Sequence, residues 1–239
     1  MRHIIARAKN AITDMLFPPL CLTCENLLAP EERGGVICAA CVRSIPLYDA
    51  LSCPACKRRI PDNGLPCHPE AKYLLAAAAH YGNEKAHKLI WQFKYENWLS
   101  AGTPLGSLMA NHMRKTGHDF SGYAVVPIPL HGDREWKRGF NQAAVISARI
   151  AREFSLPTMT GNLVREKETA PQADQKDYAA RETNIQGAFH AKRPEEFKGK
   201  NILLVDDVTT SGATLQEATR VLKQCGAKKI IAAVIARAH

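Results

Sequence analysis

The stretch ILLVDDVTTSGAT, which runs from Ile202 to Thr214, decides the fold. Its four leading aliphatic residues are typical of a parallel strand that is buried on both faces. Asp206 and Asp207 follow at the point where we predict this strand to end. Ligands of open α/β sheets bind beyond the carboxyl ends of the strands. The stretch therefore predicts a ligand site at that edge of the sheet.

Small and hydroxyl residues follow the two acids and lead into a predicted helix, LQEATRVLKQCG. Backbone N–H groups and hydroxyls at a helix N-terminus are suited to a phosphate, because the positive end of the helix dipole lies there. The common phosphate loop GxxxxGK[ST] and the GxGxxG turn are both absent from the sequence. The predicted phosphate-binding residues are Val208, Thr209, Thr210, Ser211, Gly212, Ala213 and Thr214.

Two acids before a T-T-S-G-x-T loop resemble the 5-phosphoribosyl-1-pyrophosphate (PRPP) signature of type I phosphoribosyltransferases. The resemblance implies that the loop wraps the 5′-phosphate and that Asp206 and Asp207 accept hydrogen bonds from the ribose hydroxyls. It also implies that Mg²⁺ bridges pyrophosphate and ribose oxygens, which suit a hard cation. The alternative is a plain strand-to-helix turn with two solvated aspartates. We expect a double Asp206→Asn, Asp207→Asn variant to lose Mg-dependent PRPP binding with little loss of stability.

The chain is basic and long enough for one substantial core with a small second module. Its 239 residues include 32 Lys and Arg against 23 Asp and Glu, a net charge of +9. This excess favours anionic partners such as nucleic acid, phosphorylated metabolites or an acidic membrane surface, without choosing among them. The alternative is a protein that is merely basic.

The N-terminal sequence MRHIIARAKNAITDMLFPP lacks the continuous apolar stretch of a secretion signal. We predict a short amphipathic helix there, stopped by Pro18 and Pro19, and docked on the protein's own core rather than on a membrane. No apolar run in the chain reaches the roughly 18 residues of a membrane span. We therefore expect a cytoplasmic protein, in which disulfides are uncommon.

Seven of the eight cysteines lie between positions 21 and 67 and form three C-x2-C pairs with one cysteine to spare. In a reducing compartment this spacing is typical of zinc modules. Adjacent residues rarely reach one metal together, so His68 is an open choice as a further ligand. Interleaved pairing, or thiols without metal, also remains open. We predict one Zn²⁺ site from Cys21, Cys24, Cys38 and Cys41, and a second that includes Cys53, Cys56 and Cys67.

Alternating strand and helix patterns begin near position 73 and predict an α/β domain with a mostly parallel sheet flanked by helices. The predicted domains are therefore 1–72, an N-terminal helix and cysteine-rich module, and 73–239. TMTGNLVRE and GAFHA are predicted as further strands of this sheet, and 167–181 as a mobile functional loop. Trp136 and Phe140 are predicted to lie in the core.

The order of motifs along positions 17–237 resembles the ComF family of competence-associated, phosphoribosyltransferase-like proteins. C-x2-C, C-x2-C and C-P-x-C come first, then FK, VPIPLHGDREWKRGFNQ, R-x3-T-x2-Q, R-x2-N-x2-GAF and VDDVTTSGAT. Members often carry a fourth C-x2-C pair where this chain has Cys67, His68, Pro69 and Glu70. Besides the loop, the matching residues are Lys94, Arg138, Gly139, Phe140, Asn141, Gln142, Arg165, Thr169, Gln172, Arg181 and Asn184.

The ComF resemblance implies a type I phosphoribosyltransferase fold behind an N-terminal zinc finger, and a role in natural transformation. It implies a pyrophosphate-binding turn that includes Pro129, Leu130 and His131, and a loop after Arg165 that closes over the site. The implied catalytic residues are Asp206, Asp207, Arg138 and Lys94, of which the last two would neutralise the departing pyrophosphate.

Three functions remain open. The first is a PRPP-binding protein that handles incoming single-stranded DNA, with competence or DNA-uptake proteins as partners. The second is a nucleobase salvage phosphoribosyltransferase, and the third is a zinc-containing interaction scaffold with a vestigial PRPP site. The intact acid pair argues against the third, and the zinc module with the basic excess favours the first. The predicted DNA-contacting residues are Lys57, Arg58, Arg59, His131, Arg134, Lys137 and Arg138.

Overall fold

The computed structural model describes residues 18–32, 34–60, 64–96, 98–166 and 185–238. The predicted N-terminal helix and the loop 167–181 lie outside the described residues, as do Thr169, Gln172, Arg181 and Asn184. No helix in the described part of the chain is long and apolar enough to cross a membrane.

A parallel sheet forms the centre of the described structure, in the strand order β1-β6-β5-β2. Its interior strands are β5 (Asn201–Thr209) and β6 (Lys229–Arg237), and its outer strands are β1 (Leu74–His80) and β2 (Tyr123–Pro127). The aliphatic runs of β5 and β6 are almost fully buried, as expected for parallel strands covered on both faces. The predicted α/β fold class is confirmed.

Helices cover both faces of the sheet, and an apolar cluster lies on each face. One face packs against α2 (Glu84–Tyr95), α3 (Gly102–Lys115) and α5 (Gln142–Phe154), and the other against α6 (Ala213–Gln224). The remaining helical elements of the described chain are α1 (Ala39–Arg43), α4 (Gly132–Arg138) and short 3-10 turns at Pro30–Glu32, Leu99–Ala101 and Pro194–Phe197.

The segments predicted as two further strands of the parallel sheet form a separate antiparallel pair instead. This pair consists of β3 (Leu163–Arg165) and β4 (Phe189–Ala191), with Leu163 opposite Ala191. In each of the two strands only the first residue is buried and the others are partly exposed. Strands of a parallel sheet are normally covered on both faces, which these are not. The pair packs against α6 through β4.

The cysteine-rich segment shares a core with the larger domain. Ser52 and Leu75 exchange backbone hydrogen bonds of 2.8 and 2.9 Å, which adds a short piece of chain to the free edge of β1. Val36, Ile37 and Ile45 belong to the same apolar cluster as α2 and α3. The boundary at 72/73 stays a prediction, and the two segments are packed together.

The Arg237 side chain ties β6 to the cysteine-rich segment. Its guanidinium lies 4.2 Å from the centre of the Tyr48 ring, and it donates a hydrogen bond of 2.9 Å to Ser52 Oγ. The intervening strand β1 is rich in alanine, and Ala77 lies beside Arg237 in the wall of a small cavity. The small side chains of β1 leave room for this contact.

Trp136 is not a core residue. Its side chain is 84% exposed, because the seven-residue helix α4 buries none of its side chains. Phe140, after the end of α4, packs on the buried Phe93 of α2 with ring centroids 5.3 Å apart. Of the two predicted core aromatics, only Phe140 packs against the core.

Candidate functional site

The strand β5 does not end before the acid pair but continues through it to Thr209. Pairing with β6 extends as far as Thr209 opposite Arg237, and this ladder holds the acids in extended backbone. Successive side chains of a strand point to opposite faces. Asp206 and Asp207 therefore leave the sheet on different sides.

Asp207 is paired with Lys94, from the last turn of α2. Lys94 Nζ lies 2.9 Å from Asp207 Oδ1, and the two side chains are only 21% and 11% exposed. Burial alone would lower the pKa of Lys94, but the adjacent Asp207 charge outweighs it and the pKa is raised. Lys94 is thus held as a cation that neutralises one of the two acids.

Asp206 lies on the other side and is partly exposed. Its Oδ1 accepts a 2.8 Å hydrogen bond from the Asp207 backbone N–H. Burial and the nearby Asp207 charge raise the pKa of Asp206 to about 7, against the opposing effect of Lys94 and Arg165. Burial and the neighbouring Arg134 lower the pKa of Arg165 to about 10. Arg165 therefore lies within electrostatic reach of both Arg134 and an acid whose pKa is near neutrality.

The loop after β5 turns sharply at Gly212, whose φ of +84° is a left-handed conformation. A Cβ atom there would lie 3.4 Å from the Tyr73 hydroxyl and 3.9 Å from Thr209 Oγ1. Because glycine carries no side chain, the N-terminus of α6 has no side-chain cap at this position. The Ala213 N–H points to Ser211 Oγ at 3.4 Å. The structure places a glycine turn and a helix N-terminus directly beyond the two acids.

The turn at 127–131 is fixed by Asn141. The Asn141 side-chain amide donates to the Ile128 carbonyl at 3.0 Å, and its Oδ1 accepts from the Ala144 N–H at 3.3 Å to cap α5. Asn141 is one of the residues that match the ComF motifs, but the resemblance implies no role for it. An Asn just before a helical pattern is a capping signal, whereas the bond to Ile128 depends on the tertiary fold.

Two of the predicted turn residues, but not His131, border a cavity of about 300 Å³ between β2, α5 and β3. Pro129, Leu130 and Arg165 lie in its wall. His131 Nδ1 is 3.6 Å from the Asp133 carboxylate, and Arg138 donates to Gln142 Oε1 at 3.2 Å. This cavity is the structural candidate for a base pocket.

The first cysteine group fits a tetrahedral zinc site. The sulfurs of its members all lie within 4.8 Å of one another, and Cys24 Sγ and Cys38 Sγ are 3.8 Å apart. Zn–S bonds of about 2.3 Å in a tetrahedron give sulfur separations of about 3.8 Å. Burial would raise the pKa of Cys21, but N–H groups such as that of Cys38 hold it at about 6. The group consists of Cys21, Cys24, Cys38 and Cys41.

The second group has a histidine as its fourth member. His68 Nδ1 lies 3.5 Å from Cys53 Sγ and 3.3 Å from Cys67 Sγ, and Cys56 completes the set. Cys67 and His68 are adjacent in sequence, and the turn of the chain still brings both ligand atoms to one point. The pairs are not interleaved in either group, and the donors match those that Zn²⁺ prefers.

Part of the predicted DNA-contacting set is engaged within the protein. Lys57 donates a hydrogen bond to the Pro54 carbonyl, and burial together with Arg237 lowers its pKa. Arg59 lies 4.0 Å from Asp49, both largely exposed, and Arg58 is exposed. Lys57 is therefore already engaged by a backbone carbonyl, and the DNA-contacting set stays a prediction.

Two family models match the chain. The phosphoribosyl transferase domain matches residues 141–239, which include β5, the acid pair and the loop. The double zinc ribbon domain matches residues 12–71, which include both cysteine groups. The ribbon model refines the predicted zinc finger to a double ribbon, in agreement with the two groups of ligands.

Curated relatives align along most of the chain. Competence protein F of Haemophilus influenzae is 29% identical over 91% of this chain and 96% of its own length. The predicted resemblance to ComF proteins is confirmed. DNA utilization protein YhgH of Escherichia coli is 28% identical over 89% of the chain and 94% of its own. Competence protein ComFC of Bacillus subtilis is 26% identical over 87% and 79%.

Solved structures resemble only part of this ComF-like chain. Glutamine PRPP amidotransferase from B. subtilis aligns over 57% of it and 26% of that protein, with 18% identity and a TM-score of 0.39. A hypoxanthine phosphoribosyltransferase from Staphylococcus aureus aligns over 58% and 62%, with 11% identity and a TM-score of 0.32.

Proposed function

We propose that this ComF-like protein binds PRPP together with Mg²⁺ and acts in the handling of incoming single-stranded DNA during natural transformation. The observation that carries the PRPP part is the strand β5, which brings Asp206 and Asp207 to the start of the Thr209–Thr214 loop and the N-terminus of α6. The names of the relatives, competence protein F and DNA utilization protein YhgH, support the DNA part.

The residues divide the ligand between them. The Thr210–Thr214 backbone and hydroxyls would hold the 5′-phosphate, and Asp206 would accept hydrogen bonds from the ribose hydroxyls. Mg²⁺ would bind together with PRPP beside Asp206 and would supply positive charge against the pyrophosphate. The Arg165 guanidinium lies within electrostatic reach of both Asp206 and Arg134, and the two arginines would offset the pyrophosphate charge. Asn141 would hold the turn that receives the pyrophosphate in a fixed shape.

Lys94 has a supporting role in this proposal. It pairs with Asp207 at 2.9 Å, which keeps two adjacent acids from repelling an anionic ligand. When pyrophosphate is present, the same ammonium would share its charge with the leaving group. Arg138, at the end of α4, donates to Gln142 and would also offset the pyrophosphate charge. We also propose a cytoplasmic location and DNA-uptake proteins as partners.

Calorimetric titration with PRPP tests the proposal. We expect wild type to bind PRPP only with Mg²⁺, and Asp206→Asn to weaken that binding at least tenfold because the ribose loses an ionic acceptor. Asp119→Asn is the matched control, since Asp119 hydrogen-bonds to Ser121 in an exposed turn. No binding by wild type, or equal affinity in Asp206→Asn, would refute PRPP binding and favour a scaffold with a vestigial site.

A salvage phosphoribosyltransferase is the second candidate, and the cavity of about 300 Å³ beside the 127–131 turn favours it. The cavity adjoins the predicted pyrophosphate turn and reaches the lower end of the usual range for ligand pockets. Incubation of the protein with PRPP, Mg²⁺ and each common purine and pyrimidine, with and without an oligonucleotide, distinguishes the two. Release of pyrophosphate with one base supports salvage, whereas binding without turnover supports the competence function.

A further inference from the structure

A second, larger cavity of about 610 Å³ lies at the opposite edge of the sheet from the acid pair. We call it the amino-end cavity, because Leu74 and Tyr123 at the starts of β1 and β2, and Ile230 in β6, lie in its wall. The zinc ribbon closes another side through Leu51 and His68. Its size is that of a small-molecule site, and it lies between two segments of the chain, where ligand sites are common.

The charged side chains around the amino-end cavity are all of one sign. Lys72, Lys223, Lys228 and Lys229 line it, and its described lining contains no Asp or Glu. Burial and the charge of Lys72 together lower the pKa of Lys223, so these two ammonium groups are close enough to repel each other. Lys223 Nζ is held in place by the Lys228 carbonyl at 2.7 Å. Like charges gathered in a concave site create a positive potential that attracts anions.

Apolar and aromatic groups form the rest of the wall. Ile230 and Leu74 stand beside the lysines, and the Tyr123 hydroxyl lies 3.3 Å from His118 Nε2, with the two rings edge to face. Leu65, on the rim, is 85% exposed. A simple inorganic anion would leave this apolar surface uncovered. The lining suits a ligand that combines a phosphate with a flat, largely apolar group.

We propose that the amino-end cavity binds a nucleotide unit, with its phosphate at the lysines and its base against the apolar wall. The unit is either a free nucleotide or one nucleotide of a single strand, since both present the same chemistry. This inference deepens the DNA-handling part of the proposed function and does not depend on PRPP binding. The proposed DNA site lies at the opposite edge of the sheet from the acid pair. PRPP and a nucleotide unit can therefore be bound at the same time.

Charge reversal at the exposed Lys228 and Lys229 tests the proposal, with Lys228→Glu and Lys229→Glu combined. The probes are a fluorescent oligo(dT), dTMP and vesicles of anionic phospholipid, each titrated with and without PRPP and Mg²⁺. The matched control combines Lys88→Glu and Arg152→Glu, which change the net charge equally at exposed positions outside the cavity. PRPP affinity, zinc content and thermal unfolding are measured for every variant.

We expect the cavity variant to bind oligo(dT) at least tenfold more weakly and to lose about 1.4 from the slope of log affinity against log salt, since each single-strand phosphate contact contributes about 0.7. The control should change less than threefold, and PRPP affinity should stay unchanged in both. If the double variant fails to fold, the exposed Lys72→Glu should flatten the slope by about 0.7. Competition by dTMP identifies a free nucleotide as a ligand, and its absence identifies the strand.

Several outcomes would overturn the proposal. If oligo(dT) binding weakens equally in the cavity variant and the control, overall charge rather than the cavity attracts DNA. That result would refute the cavity site but not the proposed role in DNA handling. Binding of dTMP without oligo(dT), by contrast, would support the site and assign it to a free nucleotide rather than to a DNA strand. Binding of vesicles without either nucleotide probe would assign the cavity to a lipid headgroup, and no binding of any probe would refute the site.

Discussion

The Lys94 ammonium lies 2.9 Å from the Asp207 carboxylate, so the last turn of α2 neutralises one acid of the pair on β5. The neighbouring Asp206 faces the other side of the sheet, and its pKa of about 7 leaves it poised between its charged and neutral forms. The two adjacent aspartates therefore have different surroundings and different expected roles. We expect Asp207 to stabilise the fold at the site and Asp206 to be the acid that contacts a ligand.

Asp207→Asn should destabilise the protein far more than Asp206→Asn. Removal of the Asp207 charge leaves Lys94 as an unpaired cation at a largely buried position, a change that typically costs about 3–5 kcal/mol. Urea unfolding measures both variants. From the sequence we expected that both acids could be neutralised with little loss of stability, and the ion pair changes this expectation for Asp207. Equal stability of the two single variants would contradict the ion-pair assignment.

The stability contribution of Asp206 should fall as pH rises. Its pKa is raised from 3.8 in the unfolded chain to about 7 in the fold, so the native state holds the proton more tightly between these values. The free energy of unfolding of wild type, relative to Asp206→Asn, should decrease between pH 5.5 and about 7 by up to about 1.4 kcal/mol per pH unit, and level off above. A difference that rises with pH would contradict this.

Gly212→Ala should impair PRPP binding, whereas Gly226→Ala should not. Both glycines have a left-handed φ, +84° and +82°, and an added Cβ meets its nearest atom at 3.4 Å in both places. The strain should cost each variant about 1–2 kcal/mol. Only Gly212 lies in the proposed phosphate loop, so calorimetry should separate two variants that thermal unfolding does not. Equal PRPP affinity would argue against this loop.

Asn141→Ala should lower both stability and PRPP affinity, with Asn83→Ala as the matched control. Each asparagine caps a helix, Asn141 at α5 and Asn83 at α2, and loss of such a cap costs about 1 kcal/mol. Asn141 also donates to the Ile128 carbonyl. Asn141→Asp keeps the cap but loses this donor, so a selective fall in PRPP affinity would isolate the role of the turn.

The protein should contain two Zn²⁺ per chain, one in each ligand group. Cys38→Ser and His68→Ala should each reduce the zinc content by about one, measured by elemental analysis of reduced protein. Cys38→Ser should also destabilise the larger domain, since Cys21 and Cys41 lie in the same apolar cluster as α2 and α3. Zinc-free wild type would refute both sites.

The sequence alone predicts the central strands and the cysteine groups well. Long apolar runs such as Ile202–Val205 must be buried, and C-x2-C spacing restricts each pair of sulfurs to one neighbourhood. The ends of elements are harder to predict. Asp206 and Asp207 disfavour a strand locally, and only pairing with β6 keeps them in one.

Other features depend on partners distant in the sequence. The pairing of β3 with β4 joins segments more than 20 residues apart, and nothing local marks it as antiparallel. Nothing in the sequence around Lys94 indicates its contact with Asp207, and nothing around His68 indicates that its ring lies beside Cys53. Trp136 was assigned to the core by residue type, although a short helix with no buried face leaves it in solvent.

The strand order has a consequence for synthesis of the chain. β6 is the last of the described strands along the sequence, yet it lies between β1 and β5. A nascent chain that has emerged only as far as position 228 therefore exposes unpaired edges of both strands, which are prone to aggregate or bind chaperones. Arg237, which reaches Ser52 across 185 positions, comes later still. The sheet can therefore close only after β6 has been translated. Chains released by ribosome stalling just before β6 should be degraded by proteases.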